Sequence, residues 1–131
     1  MTKAQERLLE PARRARLRAV APFSKFRVGA ALEAADGRVF TGCNIENASY
    51  GLTLCAERVA IFKAVSEGAR RFRRLAVVAD TPRLTPPCGP CRQIIWEFCG
   101  NVEVILANLK GKTSSQRMKK LFPQPFDASS L

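Results

Sequence analysis

The chain contains 131 residues, of which 47% are hydrophobic, and its 22 basic residues against 11 acidic ones give a formal net charge of +11. This length and composition favour one compact domain, residues 1–131, with an apolar core. The complete absence of histidine excludes Ser-His and Cys-His catalytic arrangements. No apolar run is long enough for a membrane span or resembles a signal peptide, so we expect a cytoplasmic protein without a membrane partner.

The positive charge raises the question of a nucleic-acid partner, because basic residues neutralise phosphates. The basic residues are spread over the N-terminal segment, the run Arg70–Arg74 and the segment 110–120. Runs of this kind are more often solvated faces. The sequence therefore favours a charged surface in water over a nucleic-acid partner.

The first part of the chain predicts a helix followed by a β-hairpin. Leucines and alanines recur at helical spacing over residues 2–20, and Pro22 ends this helix. Two short apolar and β-branched stretches, 26–34 and 38–44, flank Asp36-Gly37, which is a strong signal for a tight turn. The first two strands are therefore expected to pair antiparallel.

The middle of the chain alternates between helix and strand patterns. A buried helix is predicted over 56–68, with Gly68 as its C-terminal cap, followed by a strand over 75–79, a second buried helix over 89–99 and a strand over 102–107. Short right-handed crossovers between such elements place helices on both faces of one sheet. The predicted fold is an α/β, three-layer α/β/α sandwich with a mixed β-sheet.

The C-terminal segment, residues 110–131, leaves two alternatives open. Ser114 or Ser115 caps a short helix that runs through Leu121, or Thr113 and its neighbours pair as a small edge strand. The sequence alone does not choose between them.

Five cysteines in a chain with no secretion signal favour metal binding or catalysis over disulfides. Cys88 and Cys91 are three apart at a predicted helix start, so their sulfurs share one face, and Cys55 supplies a third thiolate from the start of the other helix. Three ligands leave the fourth tetrahedral position of a zinc ion open to water, as in catalytic sites. Cys43 and Cys99 are poorly placed to close the site and are interpreted as small buried hydrophobes.

The residues next to these cysteines supply charge and proton transfer. Three thiolates leave a zinc site with net negative charge, which two helix N-termini and Arg58 would offset. Arg92 is a second candidate, for which an ordinary surface charge is an equal alternative. Glu57 lies two residues from Cys55 and is interpreted as a proton shuttle rather than as a residue that only stabilises a helix N-terminus.

Four segments together carry a family resemblance. They are Cys55-Ala56-Glu57, Pro87-Cys88-Gly89-Pro90-Cys91-Arg92-Gln93, the stretch Phe26–Ala31 and the run Gly42–Tyr50. In this order they resemble the short, homotetrameric, zinc-dependent cytidine deaminases of nucleoside salvage, over about residues 22–105. Both cysteine motifs in order are far more specific than a single Cys-x-x-Cys.

The resemblance implies an activity and a set of roles. The activity is hydrolytic deamination of free cytidine and deoxycytidine in pyrimidine salvage, in which zinc-held hydroxide attacks ring C4 and ammonia is released. The implied roles are zinc binding by Cys55, Cys88 and Cys91, proton transfer by Glu57, a backbone contact to the pyrimidine at Ala56, ribose hydrogen bonds from Asn44 and Glu46, packing on the base by Phe26, and a substrate contact by Phe126 of a neighbouring subunit. A carboxylate at Glu46 also suits a sugar diol and would repel a phosphate.

Three alternatives remain at this stage. A polynucleotide-editing deaminase would suit the charge, but such enzymes more often use a histidine ligand and need stacking aromatics. A deaminase of a cytosine-containing antibiotic nucleoside would share the zinc motifs, although Asn44-x-Glu46 favours an ordinary ribonucleoside. A non-catalytic zinc-binding module would require a fourth protein ligand and no role for Glu57.

Overall fold

The structure is a computed structural model that describes all residues from 1 to 131. Nine elements make up its framework, apart from two short 3-10 turns. In chain order these are α1 (Lys3–Arg16), β1 (Val28–Ala34), β2 (Val39–Cys43), α2 (Ala56–Ser66), β3 (Phe72–Ala79), α3 (Gly89–Cys99), β4 (Glu103–Ala107), β5 (Thr113–Arg117) and α4 (Met118–Leu121). None of the helices combines the length and apolar composition that crossing a membrane requires.

The five strands form one mixed sheet in the order β2-β1-β3-β4-β5. Strands β3 and β4 pair parallel, and the other three neighbouring pairs are antiparallel. Helix α1 covers one face of the sheet, while α2 and α3 cover the other. The prediction of a three-layer sandwich with a mixed sheet is confirmed.

Alternating side chains of the central strands feed two separate cores. In β1, Ala31 packs with Leu8 and Leu9 of α1, whereas Ala30 and Leu32 pack with α2 and α3. Strand β3 divides its side chains in the same way. A period of two places successive residues on opposite faces, so strands covered on both sides need apolar residues at every position, as the continuous apolar patterns indicate.

The predicted hairpin and helix cap are both present. The Gly37 N–H donates to Ala34 O at 3.0 Å and the Ala34 N–H donates to Arg38 O at 2.8 Å. Gly37 has a φ of 94°, a conformation that costs a glycine little. Helix α2 ends two residues earlier than predicted, and Gly68, with a φ of 95°, follows its cap residue.

Two boundaries differ from the predictions by three residues or more, and for tertiary reasons. Helix α1 ends at Arg16, before Val20 and Pro22, because Val20 is extended: its N–H donates to Asn44 O at 3.0 Å, and its carbonyl accepts from Glu46 N–H at 2.8 Å. Strand β3 begins at Phe72, three residues earlier than predicted.

Charge pairing explains the early start of β3. The Arg74 guanidinium lies between two carboxylates, 2.5 Å from Glu33 and 3.0 Å from Glu103, which come from the strands on either side. Its neighbours Arg70, Arg71 and Arg73 are exposed. Within the basic run, Arg74 therefore forms ion pairs between strands, and the other three arginines form a solvated surface.

The C-terminal segment forms both the edge strand and the short helix, one after the other. Strand β5 pairs antiparallel with β4 as the edge strand, with Thr113 opposite Ala107. Helix α4 follows immediately, and its cap residue is Arg117 rather than Ser114 or Ser115. The serines are therefore strand residues, because pairing with β4 takes up their backbone groups.

Candidate active site

Three cysteines converge where α2 and α3 begin. Cys55 is the N-cap residue of α2 and Cys88 that of α3, while Cys91 is buried in the first turn of α3. The Cys55 and Cys88 sulfurs are 3.7 Å apart and those of Cys88 and Cys91 are 3.2 Å apart. All three Sγ atoms lie within 4.8 Å of one another.

This cluster fits a zinc ion. Tetrahedral coordination with Zn–S bonds of about 2.3 Å places sulfur ligands about 3.8 Å apart, close to the separations observed. Cys43 and Cys99 lie outside the cluster, and burial raises the pKa of the Cys99 thiol to about 12. Three thiolates with an open fourth position is the donor set of a catalytic zinc site.

Arg58, the residue predicted to offset the negative charge of the cluster, contacts one of its sulfurs. Its Nη2 donates to Cys55 Sγ at 3.4 Å and to the Thr53 carbonyl at 3.2 Å. A hydrogen bond from the Cys91 thiol, assisted by those from Arg58 and Cys88, lowers the pKa of Cys55 to about 5. Sharing the proton with Cys55, together with burial, raises the pKa of Cys91. The surroundings of Cys55 therefore favour its thiolate form.

Arg92, the other candidate for this role, donates its hydrogen bonds to backbone carbonyls and not to the sulfurs. Its Nε donates to Pro87 O at 2.9 Å and its Nη1 to Leu121 O at 2.5 Å. It therefore ties the loop that precedes Cys88 to the end of α4. Of the two alternatives weighed for Arg92, neither a thiolate contact nor a free surface charge describes it.

Glu57 lies in the first turn of α2 with only 4% of its surface exposed. Burial raises the pKa of its carboxyl to about 7, and the nearby Cys55 thiolate acts in the same direction. A carboxyl that exchanges its proton near neutral pH suits general acid–base catalysis. Glu57 is the one buried carboxyl group in the site.

A close backbone approach positions the start of α2. A Cβ atom at Gly42 of β2 would lie 2.5 Å from Ala56 O and 2.6 Å from Ala60 N. Only glycine permits this approach. The contact brings Ala56, and with it Cys55 and Glu57, against the edge of the sheet.

A cavity of about 170 Å³ opens in front of Glu57 and two of the cysteines. Its lining unites most of the predicted site residues, namely Phe26, Asn44, Glu46, Cys55, Ala56, Glu57 and Cys88. Phe126 is not among them: it is 59% exposed, and its carbonyl accepts a hydrogen bond from the Gln93 side chain at 2.8 Å. Within one protomer, Phe126 therefore does not reach the site.

Asn44 and Glu46 also hold the neighbouring loop. The Asn44 side chain accepts from Val28 N–H at 2.8 Å and donates to Phe26 O at 2.7 Å. Glu46 accepts hydrogen bonds from the Phe23 and Ser24 amides, at 2.9 and 3.1 Å, and from the Ser24 hydroxyl. Both side chains thus combine a structural contact with a place in the cavity wall.

Sequence reasoning missed several residues that line the cavity. These are Ser24, Val28, Thr53, Leu54, Val77, Thr85 and Pro86. Most contribute only to its shape. Ser24 is the exception, since it bonds to Glu46, but nothing in its sequence surroundings distinguishes it from an ordinary turn serine.

Comparison with known proteins agrees with this geometry. The family model described as the cytidine and deoxycytidylate deaminase zinc-binding region matches residues 2–107. A cytidine deaminase from Sporosarcina psychrophila is 53% identical over 127 residues, which cover 96% of this chain and 93% of that protein. One from Halalkalibacterium halodurans is 50% identical over 128 residues, 97% of each chain.

The fold agrees as well. The crystal structure of cytidine deaminase from Burkholderia pseudomallei superimposes with a TM-score of 0.91 at 46% identity, covering 96% of this chain and all of that one. Together with the three-cysteine cluster, these matches confirm the predictions of zinc as cofactor and of a zinc-dependent deaminase. The chain belongs to the cytidine and deoxycytidylate deaminase family.

Proposed function

We propose that this protein hydrolyses the 4-amino group of free cytidine and deoxycytidine, yielding the uracil nucleoside and ammonia. The observation that carries the proposal is one cavity of about 170 Å³, which has Cys55, Cys88 and buried Glu57 in one part of its wall and Asn44 and Glu46 in another. Such a cavity has groups for both the base and the sugar.

The reacting end of the cavity provides a metal and a proton carrier. Zinc held by Cys55, Cys88 and Cys91 would supply a Lewis acid that lowers the pKa of a bound water. Arg58 and the two helix N-termini keep the thiolates charged. Glu57 would accept a proton from the attacking water and deliver it to ring N3, and would then take the remaining proton of the new C4 hydroxyl and give it to the departing amine, while the Ala56 backbone holds the pyrimidine.

The other end of the cavity favours a free nucleoside. Glu46 offers a carboxylate oxygen to a sugar hydroxyl, and its negative charge would repel the phosphates of a nucleotide or polymer. Phe26 presents an aromatic surface to the base. The 50–53% identity to cytidine deaminases supports this substrate class over an antibiotic nucleoside.

We also infer a homotetramer of single-domain chains that acts in pyrimidine salvage in the cytoplasm. Exposed apolar side chains near the site, Tyr50 at 74% and Leu52 at 68%, together with Phe126, offer surface for neighbouring subunits. One sheet runs through the whole chain, which supports a single domain. Three reduced cysteines as ligands suit a reducing compartment.

The first experiment offers the zinc-loaded protein cytidine and deoxycytidine, with single-stranded DNA and RNA in parallel, and measures uracil products and ammonia. Conversion of the free nucleosides alone is expected. Conversion of the polymers alone would mean that the charge of +11 was the better guide and would overturn the proposal. A protein that binds zinc through a fourth protein ligand and converts nothing would be a structural zinc module.

A further inference from the structure

The loop between α1 and β1 is folded onto the carboxylate of Glu46. Glu46 Oε1 accepts hydrogen bonds from the amides of Phe23 and Ser24, and Oε2 accepts one from the Ser24 hydroxyl. Among these donors, the Ser24 hydroxyl is the one that belongs to a side chain. Substitution of Ser24 therefore tests one contact without changing the backbone donors.

The two carboxylate oxygens differ in what they have left to offer. An ionised carboxylate accepts about four hydrogen bonds, two at each oxygen. Oε1 already accepts two and is filled, whereas Oε2 accepts one and keeps a free lone pair. Because Ser24 and Glu46 both line the cavity, a sugar hydroxyl can bind at Oε2 without displacing Ser24.

Ser24 also links Glu46, the residue proposed to bind the sugar, to Phe26, the residue proposed to pack on the cytosine ring. Its Oγ accepts a hydrogen bond from the Phe26 N–H at 3.0 Å while its proton goes to Glu46. Lys25, between these two residues, has a φ of 61°, which a side-chain-bearing residue rarely adopts. A turn with this conformation needs support from its surroundings, and the hydrogen bonds to Glu46 and Phe26 provide it.

We propose that Ser24 is a positioning residue for sugar recognition: its hydroxyl fixes the Glu46 carboxylate so that the free lone pair of Oε2 faces the sugar hydroxyls of the substrate. This inference rests on the proposed function. Ser24 makes no contact with the zinc-ligand cysteines or with Glu57 among the hydrogen bonds of the structure. We therefore expect the loss of its hydroxyl to act mainly on substrates that carry the sugar hydroxyls.

A purely structural role for Ser24 makes a different prediction. If the hydroxyl only stabilised the turn at Lys25, its loss would displace Phe26, and binding of every cytosine nucleoside would suffer alike. If it positions Glu46, loss would depend on whether the substrate has a hydroxyl for Glu46 to bind. Cytidine and 2′,3′-dideoxycytidine share the base and differ in these hydroxyls, so together they separate the two roles.

The test measures kcat and KM of the zinc-loaded protein for both nucleosides in the wild type, Ser24→Ala, Ser24→Thr and Ser66→Ala. Ser66 is a matched control, because it is an exposed serine at the far end of α2 whose hydroxyl donates only to Lys63 O. For Ser24→Ala, we expect kcat/KM for cytidine to fall roughly tenfold, mainly through KM, since hydrogen bonds to charged groups have effects of this size.

The same variant should change kcat/KM for 2′,3′-dideoxycytidine less than about twofold. Ser24→Thr, which keeps the hydroxyl, should restore most of the activity on cytidine, and Ser66→Ala should match the wild type on both nucleosides. Equal losses on both substrates, or an unchanged KM for cytidine, would overturn the role of Ser24. A wild-type protein that leaves cytidine unconverted would instead overturn the proposed function itself, and this inference with it.

Discussion

The cavity has a zinc end, which holds two of the cysteines and Glu57, and a sugar end, which holds Asn44 and Glu46. The two ends are built in different ways. At the zinc end, Cys88 and Cys91 are one helical turn apart, and Cys55 and Glu57 lie at the start of α2, so short spacings and helix N-termini define most of the geometry. The sugar end is instead held by hydrogen bonds between segments about 20 residues apart, as between Ser24 and Glu46. Cys55 and Cys88 are nevertheless 33 residues apart, so the zinc end combines short spacings with the meeting of two helices, whereas the sugar end depends on contacts between distant segments alone.

Each end of the cavity contains a glutamate, and the pKa values of the two glutamates are shifted in opposite directions. Burial raises the pKa of Glu57 to about 7, whereas hydrogen bonds from Ser24 and Phe23 lower the pKa of Glu46. A carboxyl that carries protons needs the first environment, and a carboxylate that accepts hydrogen bonds from a sugar needs the second. Environment, not residue type, separates the two functions.

The largest effect is expected from Glu57→Gln, which removes the proposed proton carrier and keeps the shape of the side chain. We expect kcat to fall roughly 100- to 10,000-fold, the usual contribution of a general acid–base group, with zinc content unchanged. Steady-state kinetics and metal analysis measure the two quantities. Glu67→Gln, an exposed glutamate just beyond the end of the same helix, is the control and should retain full activity. Normal turnover in Glu57→Gln would refute the shuttle.

Arg58→Gln should sharpen the electrostatic description of the zinc end. Without the hydrogen bond to Cys55, the thiol pKa rises, so zinc should be released at a higher pH on acidification, and activity should fall roughly 10- to 100-fold. Zinc release against pH is the measurement. Arg92→Gln, which loses only carbonyl contacts, should leave the release pH unchanged. A shift with Arg92 but not Arg58 would reverse the assignment.

Gly42→Ala tests how far the zinc end depends on the packing of α2 against the sheet. The added methyl would lie 2.5 Å from Ala56 O, so α2 must move, and we expect a loss of roughly 1–3 kcal/mol in the free energy of unfolding together with lower activity. Chemical denaturation measures the first. Gly51→Ala, where nothing lies within 4 Å, should stay within about 0.5 kcal/mol of the wild type. Equal stability of the two variants would contradict the close approach.

The smallest effect is expected from acidification at the sugar end. The pKa of Glu46 is lowered in the folded protein, so its carboxylate contributes stability that is present above the unfolded pKa and is lost as the pH falls through the folded one. The difference in Tm between the wild type and Glu46→Gln should therefore shrink as the pH falls below about 4.3, the ordinary pKa of a glutamate. A difference that grows on acidification would show that the hydrogen bonds to Glu46 do not favour the charged form.

Most of the framework was predictable because the patterns were strong and local. Helix α3 has the predicted bounds, and the Asp36-Gly37 turn joins β1 and β2 as expected. The predicted C-terminal end of α1 was wrong because Val20 pairs with the segment containing Asn44 and Glu46. This is a contact between distant parts of the chain. Helical periodicity carries no information about such pairing.

In the candidate site, too, the residues defined by short spacings were predictable, and those defined by contacts between distant segments were not. Cysteine spacing and charge alone pointed to the zinc ligands and to Arg58, since residues three apart share a helix face. Arg92 was left undecided because its two carbonyl partners belong to other segments. Ser24 was missed because a serine in a turn has many ordinary uses, and only the folded chain brings it to Glu46.

The sequence by itself determined the chemistry: three thiolates, a neighbouring carboxyl, and no histidine to replace them. Tertiary structure decided how that chemistry is tuned, by burying Glu57, leaving Glu46 in a hydrogen-bonded loop and directing Arg58 rather than Arg92 to the sulfurs. The physical reason is that ligand identity is a property of residue type and short spacing. Protonation and orientation depend instead on solvent exposure and on partners that only folding brings within reach.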